Sequence, residues 1–242
     1  MTSTAELTKI SEALHTVSKR IQKVSTECGR TEVPRLVAVG KTKPLEAIKE
    51  AYDAGQRHFG ENYVQELVKK SESLTEPDIK WHFIGPLQSN KAKMLVRVKD
   101  LAVVETIDRK KIADAVNKAA TAGGKEGLRV MVQVNTSGEE TKSGCRPNEA
   151  VTLSQYVVEN CPALTLTGLM TIGKPETSEK PEAFQLLRDI RKEVAQSLGK
   201  KEEDLELSMG MSGDFEAAIR MGSTSVRVGS TIFGERDYSK KR

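Results

Sequence analysis

The stretch Arg35–Pro44, "RLVAVGKTKP", decides the fold. Leu36, Val37, Ala38 and Val39 are apolar in a row, which reads as a buried strand. Gly40, Lys41 and Lys43 follow, and Pro44 opens a helix-like segment. A doubly wound open sheet would place a glycine-rich dinucleotide turn after its first strand. "VGKTKP" stands there instead, and no G-x-G-x-x-G occurs in the chain. Downstream, apolar runs alternate with helical patterns. The strand candidates are "RLVAV", "RHFG", "KWHFIG", "LAVVETI", "LRVMVQVN", "LTLTGLM", "LELSM" and "SVRVGS". The helical patterns between them include "PLEAIKEAYDAG", "SNKAKMLVRV" and "SGDFEAAIRMG". Strands alternating with helices imply right-handed βαβ units and a parallel sheet. Eight such units closing on themselves make a TIM (β/α)8 barrel, which takes roughly 250 residues. Leu7, Ile10, Leu14, Val17, Ile21 and Val24 recur at helical spacing, so an extra N-terminal helix is expected over about 4–28. The polar loop "GKPETSEKPE" (Gly173–Glu182) does not look like an interdomain tether. The expectation is one domain over 1–242, with the barrel at about 35–238.

Composition excludes several classes of function. The formal net charge of +4 lies largely in the terminal "SKKR", and aromatics make up only 4%. No basic stripe interleaved with aromatics is present, so a nucleic-acid partner is not expected. Cys28, Cys145 and Cys161 are far apart, and His15, His58 and His82 lack metal-ligand spacing. Neither a disulfide framework nor a zinc site is indicated, and a reducing compartment is expected. No apolar run approaches membrane-spanning length. The first twenty residues lack a signal-peptide apolar core, which makes the cytoplasm the expected location.

In a TIM barrel the chemistry lies at the C-terminal ends of the strands. Those ends here carry Lys41, then Glu61, Asn62 and Tyr63, then "GPLQSNK" after His82. Glu105, Thr106 and Asp108 follow, then Asn135, Thr136 and Ser137. Loops after strands seven and eight often bind phosphate. "SMGMSGDFEAAI" places Ser212 and Gly213 at a helix start, and "VGSTIFG" repeats the arrangement with Gly229 and Ser230. An ordinary helix N-cap is the alternative for either serine; two such loops at these strands favour phosphate. Arg227 alternates with Val226 and Val228, so it is expected to face the barrel interior. A buried guanidinium needs a partner: a glutamate or carbonyl of the barrel, or an acceptor on a ligand. A strand-end lysine, an interior arginine and a phosphate cradle together suit pyridoxal phosphate, which needs a Schiff-base lysine, a ring-nitrogen partner and a phosphate site. Lys41, nearer the strand end than Lys43 and in phase with Val37 and Val39, is the expected attachment point.

The motifs "AVGKTKP", "GQRHFGENYVQE", "WHFIGPLQSNK", "TKSG", "GLMTIG", "LSMGMSGDFEAAI" and "VRVGSTIFGERDY" resemble the pyridoxal-phosphate homeostasis protein family, from about Leu36 to Tyr238. The resemblance implies a barrel like the N-terminal domain of alanine racemase. It implies that Lys41 carries pyridoxal 5′-phosphate as an internal aldimine and that Arg227 bonds the ring nitrogen. Ser212, Gly229 and Ser230 would hold the phosphate, with Ser208 and Met209 nearby. Asn62 and His82 match further polar positions around the pocket, and each can equally be a hydrogen-bonded core residue. Gly40 stands where serine is also expected. The implied role is to bind, buffer and deliver the cofactor in vitamin B6 homeostasis, with PLP-dependent apoenzymes as recipients and without catalysis. The alternative is an amino-acid racemase of the alanine racemase type. A two-base racemase needs an acid/base on each face of the substrate carbon. In alanine racemases a second β-domain and a dimer contact complete the site with a tyrosine. This sequence ends at Arg242, soon after the eighth strand, so no such domain is expected. The charged outer faces of the helices suggest a monomer.

Overall fold

A computed structural model describes residues 4–139, 141–173 and 181–235, and the side chains of 4–8 are not among those described. Helix α1 (Thr4–Glu27) precedes eight strands: β1 (Arg35–Val39), β2 (His58–Glu61), β3 (Lys80–Phe83), β4 (Leu101–Ile107), β5 (Leu128–Gln133), β6 (Leu164–Met170), β7 (Glu206–Ser208) and β8 (Ser225–Val228). Each pairs in parallel with the next, and β8 returns to β1 to close the barrel. The connecting helices are α2 (Leu45–Asp53), α3 (Val64–Ser73), α4 (Ala92–Val96), α5 (Lys110–Ala122), α6 (Ala150–Asn160), α7 (Glu182–Ser197), α8 (Phe215–Arg220) and α9 (Ser230–Phe233). All eight expected strands form, in the expected order.

Period-two alternation sorts the side chains into two layers. Ala38, Phe59, Trp81, Phe83, Val104, Val130, Leu207, Val226 and Val228 join the apolar layer between sheet and helices. A separate small cluster of Val103, Met131 and Met170 forms apart from that layer. The backbone approaches itself closely at two glycines, one between β6 and β7 and one between the loops after β2 and β3. A Cβ on Gly168 would lie 2.1 Å from the Glu206 carbonyl oxygen, and one on Gly85 would lie 1.9 Å from that of Asn62. No side chain fits at either place.

Three boundaries differ from the sequence expectation. The segment before α4 opens as a 3₁₀ turn over Ser89–Lys91. α1 stops at Glu27, with Gly29 at φ +63° in the turn that follows. Ser212 and Gly213 precede α8 instead of starting it: Asp214 occupies the N-cap position. Its Oδ1 makes no bond to the first turn of α8 and accepts instead from the Met211 N–H at 2.6 Å, within the loop. The Leu7 side chain, residues 174–180 of the polar loop, and the tail from 236 to 242 lie outside the described residues. α1 buries Leu14, Val17, Ile21 and Val24 and packs on α2, α8 and α9.

Candidate functional site

The closing pair of strands brings the two ends of the barrel sequence together. Val37 pairs with Arg227 and Ala38 with Val228. One step further, a Cβ on Gly229 would meet both Val39 Cβ and Val39 O at 3.3 Å. The loop after β8 therefore lies against the end of β1, two residues before Lys41. Lys41 is half-buried; burial raises the nearby Glu61 carboxyl to about 7, and Lys70 and then Lys41 pull against that rise. Lys43 is half-buried as well, and its Nζ donates to the Glu235 carbonyl at 2.7 Å. At Gly40 a Cβ would sit 2.3 Å from Ile48 Cδ1 and 3.0 Å from Glu61 Oε1, so a serine here would require the tip of Ile48 to move.

The loops after β7 and β8 meet at Ser212. Its Oγ accepts from the Gly229 N–H at 3.2 Å and lies 3.5 Å from the Thr231 N–H. Two backbone donors from one loop thus converge on a polar atom of the other, beside the end of β1. Ser230, the first residue of α9, is exposed on the same loop.

Below these loops a hydrogen-bonded chain crosses the barrel interior. Arg227 is 3% exposed; it donates to Ser208 Oγ and to the Thr171 carbonyl, both at 2.6 Å. Ser208 donates to Glu105 Oε2 at 2.6 Å. Glu105 Oε1 lies 2.7 Å from His82 Nδ1, and His82 Nε2 lies 2.9 Å from His58 Nδ1. β4 and β7 are not neighbours, so the Glu105–Ser208 bond can form only through the interior. Burial alone would raise the Glu105 carboxyl, but His82, Arg227 and Ser208 outweigh it and hold the group below its ordinary range. Burial presses the Arg227 guanidinium below its usual value, while Glu105 and Asp214 pull the other way. Burial, then His82 and the cations Arg35, Lys80 and Arg129, push His58 down to about 3.

Residues 13–237 match the family described as alanine racemase, N-terminal domain. The pyridoxal phosphate homeostasis protein of Bos taurus is 50% identical over 95% of this chain and 88% of its own length. That of Vibrio cholerae is 44% identical over 96% and 98%. The chain belongs to the pyridoxal phosphate homeostasis protein family. Among solved structures, PipY of Synechococcus elongatus with PLP bound is 32% identical, with a TM-score of 0.76 over 93% of this chain and all of that one. Alanine racemase from Corynebacterium glutamicum has a TM-score of 0.66 at 16% identity, covering 61% of that chain, which is a likeness of fold alone.

Within this family fold, the expected site residues fall into two groups, with Met209 and Asn62 apart from both. Lys41, Ser212, Gly229 and Ser230 gather at the C-terminal rim, where β1 meets β8. Arg227, Ser208 and His82 form the interior chain, so His82 is hydrogen-bonded core. Met209 is buried in the layer outside the sheet, and its N–H and C=O bond Ser225 and Ser223. Asn62 follows β2, and its buried Oδ1 has no hydrogen-bond partner among the described residues. The sequence reading missed Glu105 as the hub of the interior chain. The signal was there: "LAVVETI" puts one carboxylate inside an otherwise apolar strand, and such a group demands partners. It also missed Lys70, whose buried amine carries no mark in the helical pattern of α3.

Proposed function

We propose that this protein binds pyridoxal 5′-phosphate, holds it through Lys41 and passes it to PLP-dependent apoenzymes, as a carrier and buffer in vitamin B6 homeostasis. The observation that carries this reading is the meeting of the β8 loop, with its N–H groups converged on Ser212, and the strand end that presents Lys41. Bound there, the cofactor would supply a pyridine nitrogen, a phosphate and an aldehyde that condenses with a primary amine to release water. Ser212, Ser230 and the Gly229 and Thr231 N–H groups supply neutral donors for the phosphate, and glycine at 229 lets the backbone come close. The buried, unpartnered Asn62 Oδ1 is a further polar group at the same rim.

Arg227 has five N–H donors and no acceptor. Ser208 and Thr171 use two of them, and a ring nitrogen is our assignment for another. An arginine there disfavours a protonated ring and so a strong electron sink, which suits a carrier. The relatives at 44–50% identity bear the name of homeostasis proteins, whereas the likeness to alanine racemase is one of fold and speaks for no turnover. No described helix is long and apolar enough to cross a membrane. Action in the cytoplasm as a monomer completes the proposal. Among the described residues the large apolar side chains that are exposed are Val33, Tyr63, Met94 and Val158.

Borohydride reduction of the PLP-loaded protein followed by peptide mapping tests the reading. The adduct is expected on Lys41, with no racemisation of common amino acids at an enzyme-like rate. An adduct on Lys43 alone would sink the attachment point, and rapid racemisation would replace the carrier with the racemase.

A further inference from the structure

Behind the Lys41 loop three charged side chains are packed together. Lys70, on α3, has a side chain only 7% exposed. Its Nζ donates to the Gly40 carbonyl, to Glu61 Oε1 and to Glu66 Oε1, each at 2.7 Å. An ammonium has three donors, so all are used. Glu66, one helical turn before Lys70, also accepts from the Thr42 N–H at 2.6 Å. The Gly40 carbonyl belongs to the peptide before Lys41, and the Thr42 N–H to the peptide after it. Both flanks of Lys41 are therefore tied to one turn of α3. Thr42 is held at φ +64°, a left-handed conformation that is costly for a β-branched residue and persists only where its surroundings over-determine it. The Glu66 bond to its N–H is such a constraint. Glu61, at the end of β2, is fully buried, and its Oε2 has no partner among the described residues.

A cluster that only fastened α3 to the sheet could satisfy Lys70 with carboxylates alone. The bonds to the two peptides flanking Lys41 are what single out this loop. We propose that Lys70 and Glu66 are positioning residues for Lys41: they fix the peptide units on either side of it and so hold its amine where an aldehyde meets it, with Glu61 anchoring Lys70. The proposal rests on the reading of Lys41 as the attachment point. Restricting a reacting group to one orientation removes entropy that would otherwise be lost on reaction, and a misplacement of about 1 Å can cost on the order of 100-fold.

Two variants separate positioning from folding. Glu66→Ala removes a partly exposed side chain. Lys70→Met combined with Glu61→Gln removes the buried pair together and leaves only the partly exposed Glu66 carboxylate without its cation. Adduct formation with pyridoxal 5′-phosphate is followed by stopped-flow absorbance. Binding of pyridoxine 5′-phosphate, which carries an alcohol in place of the aldehyde, is followed by calorimetry. Both variants are expected to form the adduct at least about tenfold more slowly, while pyridoxine 5′-phosphate affinity stays within about twofold. Unchanged adduct rates, or a parallel loss of pyridoxine 5′-phosphate binding, would overturn the proposal. Slowing in one variant only would remove the role from the residue altered in the other. Wild-type protein with no reducible adduct on Lys41 would sink the underlying attachment reading instead, and that result does not involve the variants.

Discussion

Single residues in this protein are held in unusual charge states by burial and by a specific neighbour. His58 makes the case. Its imidazole is half-buried among cations and beside His82, and its pKa falls to about 3 from about 6.5 in an unfolded chain. The folded protein therefore keeps it neutral where the unfolded chain protonates it. Its contribution to stability is full above the unfolded value and is lost as pH falls from about 6.5 toward about 3. His58→Gln should flatten the acid limb of stability by up to about one proton, read from urea midpoints collected at steps between about pH 7 and pH 4.5. Parallel curves for variant and wild type would show that His58 does not carry this linkage. Glu61 runs in the opposite sense. Burial raises it to about 7 against the pull of Lys70, so its contribution is present below about 4.5 and is lost as pH rises through about 7. Replacing His58 isolates one of the two terms.

At the scale of elements, the β7–α8 and β8–α9 loops work as a pair because neither is complete alone. Ser212 is no helix cap: Asp214 stands at the N-cap of α8, and the serine hydroxyl reaches across to the Gly229 N–H. The two loops are thus braced against each other and against the end of β1. Ser212→Ala and Ser230→Ala should each weaken PLP retention by about 1.5–3 kcal/mol, the worth of a hydrogen bond to a charged group. Equilibrium titration of the single and double variants checks this. Unchanged affinity in the double variant would reduce both serines to loop structure. Because the two share one proposed anion, their effects need not add.

The whole molecule supports the rim from outside. α1 lies across α2, α8 and α9, the helices that follow the three loops of the candidate site. Arg20 bonds Glu216 at 2.9 Å and lies over the Phe215 ring, and Arg220 reaches Glu27. These surface pairs are worth little each; the buried face with Leu14, Val17, Ile21 and Val24 carries the contact. Ile21→Ala should cost about 2–5 kcal/mol and also loosen PLP, because α8 and α9 lose their backing. Ile112→Ala in α5, equally buried but packed away from these loops, should cost a similar amount and leave PLP affinity unchanged. Equal effects on affinity in the two variants would mean that any loss of stability releases the cofactor, and α1 would have no special part.

What the sequence determined by itself is whatever neighbouring residues encode among themselves. The alternation of Val226, Arg227 and Val228 marks inside and outside, because a strand repeats every two residues. Eight strand patterns separated by helical ones leave few topologies for a parallel sheet to close. Lys41 at a strand end and the glycine–serine loops after strands seven and eight are legible for the same reason. Tertiary structure alone decided the partners. Parity places Glu105 inside the barrel but cannot say that it meets Ser208, 103 residues away. Nothing in the helical pattern of α3 tells that Lys70 bonds the carbonyl of Gly40, 30 residues earlier. A helix cap is the local alternative that the sequence leaves open for Ser212, and only the tertiary structure shows that it bonds Gly229, 17 residues on. These pairings depend on barrel closure, which sets which strand ends come within 3 Å of one another, and the pattern along a single strand carries no information about that distance.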